Sequence, residues 1–164
     1  MPVLDKDGNL YGATGQGGTY HLYGTVFELT QSGTETVLHG FDDNGTDGYD
    51  TQAGVIRGEK GNLYGTTTYG GAYLGGTVFK LTPSGVETIL YSFNDDGTDG
   101  YYPLNGVVPG KNGNLYGTTY YGANGCGSRY GCGTVFELTQ SGTETVLHSF
   151  GANGTDGEFH IPKI

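Results

Sequence analysis

The chain has 164 residues, of which 34 are glycine, about three times the usual share, and it contains no tryptophan. Acids outnumber bases 17 to 7, a formal charge of -10, which repels polyanions and leaves no basic stripe for nucleic acid. No run of 18 apolar residues exists, so no helical membrane insertion is expected, and Met1-Pro2-Val3 lacks the basic and apolar regions of a signal peptide.

The glycines recur in register between clusters of Val, Ile, Leu, Phe and Tyr, which argues for order rather than low complexity. Gly-Asn-Leu-Tyr-Gly begins at Gly8, Gly61 and Gly113, spacings of 53 and 52 residues, a period characteristic of propeller blades. Gly-Thr-Val-Phe from Gly24, Gly76 and Gly133, Ser-Gly at Ser32, Ser84 and Ser141, and Gly-Thr-Asp-Gly from Gly45, Gly97 and Gly154 keep the same phase. The chain therefore reads as one repeat domain, 1–164, with units over about 3–41, 54–93 and 106–150 and a tail over 151–164.

In the second unit, turn chemistry and alternation place strands at Val55–Arg57, Leu63–Thr67, Thr77–Thr82 and Glu87–Phe93, with tight turns at Glu59-Lys60-Gly61 and Pro83-Ser84-Gly85. The glycine-rich segment Tyr69–Gly76 reads as a loop. The fourth strand is apolar on both faces, as required of a sheet packed between two neighbours. The longest glycine-free stretch, Val86–Asp96, is rich in β-formers, so almost no α-helix is expected.

The order Gly-Val-Val/Ile, Gly-Asn-Leu-Tyr-Gly-Thr-Thr, Gly-Thr-Val-Phe-Lys/Glu-Leu-Thr-x-Ser-Gly and Glu-Thr-Val/Ile-Leu-x-Ser/Gly-Phe resembles the GloVer tandem repeat of bacterial surface and secreted proteins. It is also similar to NHL-type propeller blades. The resemblance implies an exported protein, extracellular or on the cell surface, and carries no family active-site residue. The expected fold is all-β: three four-stranded blades of a β-propeller. Because three blades leave two edges and two apolar faces open, a homodimer closing a six-bladed ring is expected, with excision from a longer propeller as the rival. The tail, which departs from the repeat at Glu158–Ile164, is a candidate for pairing with the partner chain.

In a propeller the second-to-third loops and the connections between blades share one face, where ligands bind. Tyr20, Tyr23, Tyr69, Tyr73, Tyr102, Tyr120 and Tyr121, with Asp43 and Asp96, fall there. Flat rings among hydrogen-bonding acids suit a neutral glycan, so a non-catalytic carbohydrate-binding module is the leading expectation. Tyr49 and Tyr101 read equally as packing between blades. A glycan hydrolase or lyase using Asp47, Asp99 or Asp50 is the alternative, and a structural or adhesive repeat segment the third reading.

The acidic connections hold Asp42, Asp43, Asp47, Asp50, Asp95, Asp96, Asp99 and Asp156, eight of the seventeen acids. Asp42, Asn44 and Asp47 form a possible Ca²⁺ set, but the glycine falls one place late for an EF-hand, and Asx-turns explain the residues as well. No other cofactor is expected. Asp47, Asp99 and Asp156 share one slot, which suits a structural hydrogen bond at least as well as an acid. His39 and His148 hold the slot of Tyr91 and read as wall residues, while His21 and His160 occur once each. Cys126 and Cys132, within the longest loop, suit a disulfide, with a two-cysteine zinc site as the minor alternative.

Overall fold

The computed structural model describes residues 2–18, 22–94, 96, 99–122 and 132–151. It is all-β, with no α-helix among these residues. The first unit contributes β1 (Val3–Leu4), β2 (Leu10–Thr14), β3 (Thr25–Leu29) and β4 (Glu35–Gly40), followed by a short β5 (Gly48–Tyr49). The second contributes β6 (Ile56–Arg57), β7 (Leu63–Thr67), a short β8 (Tyr69–Gly70), β9 (Thr77–Leu81) and β10 (Glu87–Ser92), then β11 (Gly100–Tyr101). The third contributes β12 (Val108–Pro109), β13 (Leu115–Thr119), β14 (Tyr121–Gly122), β15 (Thr134–Leu138) and β16 (Glu144–Ser149). They form three antiparallel four-stranded sheets, β1-β2-β3-β4, β6-β7-β9-β10 and β12-β13-β15-β16, and two-stranded pairs β5-β8 and β11-β14.

Each landmark of the repeat has a physical task. Gly65 lies under the ring of Phe79, where a Cβ would stand 2.6 Å from Cζ, and Gly12 and Gly117 lie likewise under Phe27 and Phe136. The tyrosine–glycine pair of the motif thus offers one small residue on which the next strand's phenylalanine rests. Every fourth strand carries a bulge: His39 and Val37 oppose adjacent Val26 and Phe27, so that Leu38 has no cross-strand partner. Leu90 and Leu147 stand at the same break. The extra residue shifts the alternation, so the strand presents apolar groups to both sides.

The sheets pack face to face in file. Val26 and Phe41 of the first meet Val55, Leu63, Phe79 and Leu81 of the second. Val78 and Phe93 of the second meet Val107, Leu115, Phe136 and Leu138 of the third. Edge-to-face ring pairs cross both junctions, Phe41–Phe79 at 5.3 Å and Phe93–Phe136 at 5.1 Å.

The two outward faces of the file are open by comparison. Phe27 and Leu10 are only partly buried where Phe79 and Leu63 are 1% exposed. On the far side Val135 is partly exposed where Val26 and Val78 are 0% exposed, and Leu147 is half exposed.

Candidate functional site

The loop end of the file is assembled by two short pairings within segments that the sequence pattern reads as loops. Gly48 and Tyr49, leaving the first sheet, pair with Gly70 and Tyr69, which join β7 to β9 of the second. Gly100 and Tyr101 pair with Gly122 and Tyr121 in the same way. A threonine pair anchors each loop: Thr67 Oγ1 lies 2.8 Å from Thr77 Oγ1 and donates to the Tyr69 carbonyl, and Thr119 does the same with Thr134 and Tyr121. Gly48 packs on Thr67 where a Cβ would collide with its hydroxyl. Asp50 and Tyr102 then occupy equivalent left-handed positions, φ 60° and 57°. Each accepts an N–H from the loop of its own junction, Thr68 to Asp50 and Tyr120 to Tyr102.

This scaffold gathers tyrosines from all three units into one file. Tyr23 lies 5.2 Å from Tyr49, Tyr49 5.6 Å from Tyr69, and Tyr69 4.9 Å from Tyr102. Tyr102 continues to Tyr101 at 4.9 Å and Tyr121 at 5.8 Å, and Tyr121 to Tyr120 at 4.4 Å. Five of the residues expected to bind ligand, Tyr23, Tyr69, Tyr102, Tyr120 and Tyr121, are thus brought together. Tyr101 is 5% exposed within the second core, and Tyr49 packs against the first. Tyr73 stands apart at the tip of its loop, 59% exposed, beside Leu74 at φ 64°. Asp43 is exposed, and burial, with the Asp43 charge adding to it, holds the Tyr49 hydroxyl above its ordinary value. Asp96 accepts a hydrogen bond from Asn94 Nδ2 at 3.2 Å.

The aspartates of the shared slot lie deeper. Asp47 is 7% exposed; its Oδ1 accepts the Gly48 N–H at 2.7 Å, and its Oδ2 accepts the Asp42 N–H at 3.1 Å. His39 Nε2 lies 3.2 Å from Asp47 Oδ2 and 3.5 Å from Glu87 Oε2 of the next sheet. At the following junction Tyr91 donates to Asp99 Oδ2 at 2.8 Å, and Asn94 N–H reaches the same oxygen at 3.1 Å. Each aspartate therefore ties its connector to the fourth strand behind it.

Burial governs the charge states of these networks. It works against the His39 charge, but the Asp47 hydrogen bond and the Glu87 carboxylate outweigh it and hold the imidazole above its ordinary value. Burial, with Asp47 beside it, raises Glu87, and burial with Asp99 nearby lifts Glu144 to about 7. His39, Asp47 and Glu87 each offer a ligand atom, all within 4.8 Å of one another, the one such group of three among the described residues. In the expected calcium set, Asn44 Oδ1 already accepts the N–H groups of Thr46 and Asp47, an Asx-turn, while the Asp47 carboxylate is engaged as above.

The sequence alone does not reveal His39 as the link between sheets, because Glu87, its second partner, belongs to the next repeat. The signal available in the sequence was the shared phase of Glu35, Glu87 and Glu144 with the His39, Tyr91 and His148 slot. Tyr20, His21, Asp95, Cys126, Asp156 and His160 lie outside the described residues, as does the tail beyond Gly151. Cys132 is buried, 6% exposed. Asp50 Oδ2 accepts a hydrogen bond from Gln52 Nε2 at 3.1 Å.

Three sheets of one pattern, with cores formed only between neighbours, define an all-β repeat protein. The chain belongs to the Gloeobacter/Verrucomicrobia repeat family, whose model matches residues 1–163. No curated protein matches it.

Proposed function

We propose that the chain is a non-catalytic carbohydrate-binding module of a secreted or surface-displayed protein, and that it binds a neutral glycan along the tyrosine file. The observation that carries this reading is the continuity of the rings: one path of tyrosines runs from Tyr23 to Tyr120 across all three units. Sugar rings present apolar faces ringed by hydroxyls, and an array of amphipathic rings with Asp43 and Asp50 beside it offers the matching surfaces. Asp47 and Asp99 bind backbone N–H groups and the wall residues behind them, which supports a structural role over that of acid and base in a hydrolase or lyase. The Cys126–Cys132 disulfide and export belong to the same proposal.

The three sheets are read as three blades of a propeller, and two chains as closing a six-bladed ring. Four of the eight large apolar residues exposed on the described surface support this. Leu4 and Val37 lie on the outward face of the first sheet, and Val108 and Leu147 on that of the third. The face of the first sheet is the counterpart of one that is buried elsewhere in the same chain, and so is that of the third, so a copy of the repeat fits both.

Without tryptophan, the intrinsic emission comes from tyrosine, and titration with neutral oligosaccharides reads the proposed site directly. Saturable quenching with no released product supports the binding module. Turnover that is lost in Asp50→Asn would replace it with the catalytic reading, and inertness toward every sugar with the structural one.

A further inference from the structure

A second site lies at the other end of the sheets, among the tight turns. There a cleft of about 650 Å³ opens between the second and third sheets, a size suited to one or two sugar rings. Tyr64 and Lys80 line it from the second sheet, Pro109 and Leu115 from the third, and Lys60 and Asn62 from the turn between β6 and β7.

The equivalent junction between the first and second sheets explains why this one is open. There Tyr11 donates to Glu28 Oε1 at 2.9 Å, and the Arg57 guanidinium lies 5.7 Å over the Tyr11 ring. The register puts Tyr64 opposite Lys80 and Tyr116 opposite Glu137, just as Tyr11 is opposite Glu28. Pro109 stands where Arg57 stands one unit earlier. At the second junction the acid has thus become a lysine, and the covering arginine a proline. In the third sheet the ordinary pattern returns, with Tyr116 donating to Glu137 at 2.7 Å. Charge is therefore inverted at Lys80, which is half-buried in the cleft wall.

Among the described residues neither Lys60 nor Lys80 has an ion-pair partner. Glu59 at the rim is exposed and is, among the described residues, the sole acid lining the cleft. Tyr64 packs against the core, and Gly58 lies so close beneath its ring that a Cβ would stand 2.6 Å from Cε2, which holds the ring in place. A fixed aromatic face, two unpaired ammonium groups, and the amides of Asn62 and Gln140, whose Nε2 already donates to the Asn112 carbonyl at 3.0 Å, thus share one cleft.

We propose that this cleft binds an acidic saccharide through the carboxylate of a uronic-acid residue. Lys80 meets the carboxylate, with Lys60 adding charge from the rim. Tyr64 carries the apolar face of the sugar, and the amides take its hydroxyls. The site is separate from the tyrosine file and does not depend on the reading given to it.

The test is calorimetric titration of the full chain with digalacturonic acid, galactobiose and inorganic sulfate. Digalacturonic acid is expected to bind saturably at a Lys80-dependent site and sulfate at least tenfold more weakly, while any neutral disaccharide held on the tyrosine file binds equally well to the Lys80→Glu variant. Lys80→Glu installs the residue that the other two sheets carry in this slot, so folding should be retained. It is expected to lower uronate affinity at least tenfold with an unchanged melting temperature, whereas Tyr69→Ala on the opposite face leaves that affinity unaltered. Neutral-disaccharide binding that equals uronate binding and is lost in Lys80→Glu, equal binding of sulfate, or wild-type uronate affinity in a folded Lys80→Glu variant would each overturn the proposal.

Discussion

Phe27, Phe79 and Phe136 occupy one slot in three copies of the repeat, and only their neighbours differ. Phe79 is 1% exposed, lies over Gly65 and meets Phe41 of the first sheet at 5.3 Å. Truncating such a ring removes its transfer free energy and leaves a cavity, so Phe79→Ala should cost about 3–5 kcal/mol. Phe27 rests on Gly12 in the same way but faces outward and is only partly buried. Because part of its surface never leaves water and no enclosed cavity is left behind, Phe27→Ala should cost less, about 1–2 kcal/mol. Urea unfolding followed by circular dichroism at low micromolar concentration measures both, and each kcal/mol also corresponds to roughly 2–4 °C in melting temperature. The proposed pairing of end faces would add a second signature, a Phe27→Ala loss that grows with protein concentration. Equal losses at the two positions, independent of concentration, would refute the assignment of the inner and outward faces.

Stability should fall as the pH rises from about 5 to about 8. Glu144 titrates near 7 in the folded chain against an ordinary 4.5, so between those values the unfolded chain has lost a proton that the folded chain still holds. His39 acts in the same direction, since its raised value means that the charge stabilising the fold is lost as pH climbs through it. The urea midpoint should therefore decrease across this window and do so less steeply in Glu144→Gln; a flat or rising midpoint contradicts the burial argument. Gly65→Ala should destabilise by about 1–3 kcal/mol in thermal melts, because the added methyl meets the Phe79 ring, and a neutral result would mean that the ring is not held there. Tyr69→Ala and Tyr102→Ala should each weaken neutral-oligosaccharide binding about tenfold or more by tyrosine emission, while Tyr73→Ala, at an exposed loop tip, should have a smaller effect.

The repeat was legible because its period, turn residues and alternation are local signals. Alternation places Leu63–Thr67 where the strand is observed, and puts Thr77–Thr82 and Glu87–Phe93 each one residue past the observed strand ends. The two-residue pairings at Tyr49–Tyr69 and Tyr101–Tyr121 were not legible. Two residues carry no alternation, and their partners sit in a neighbouring unit. The tyrosines were identified by type and by loop, yet their continuity depends on those same pairings. The junction of His39 with Glu87 and the cleft at Lys80 belong to what one unit presents to the next. Departures such as Lys80 and Pro109 become informative only when the sheets that face each other are known.

The most direct test of the central claim is titration of the chain with neutral oligosaccharides, monitored by tyrosine emission, with chromatography of the same samples for products. Saturable binding, intact oligosaccharide after long incubation, and a signal at least tenfold weaker in Tyr69→Ala are expected. Absence of binding to any neutral sugar, or binding that survives loss of both Tyr69 and Tyr102, would contradict that claim.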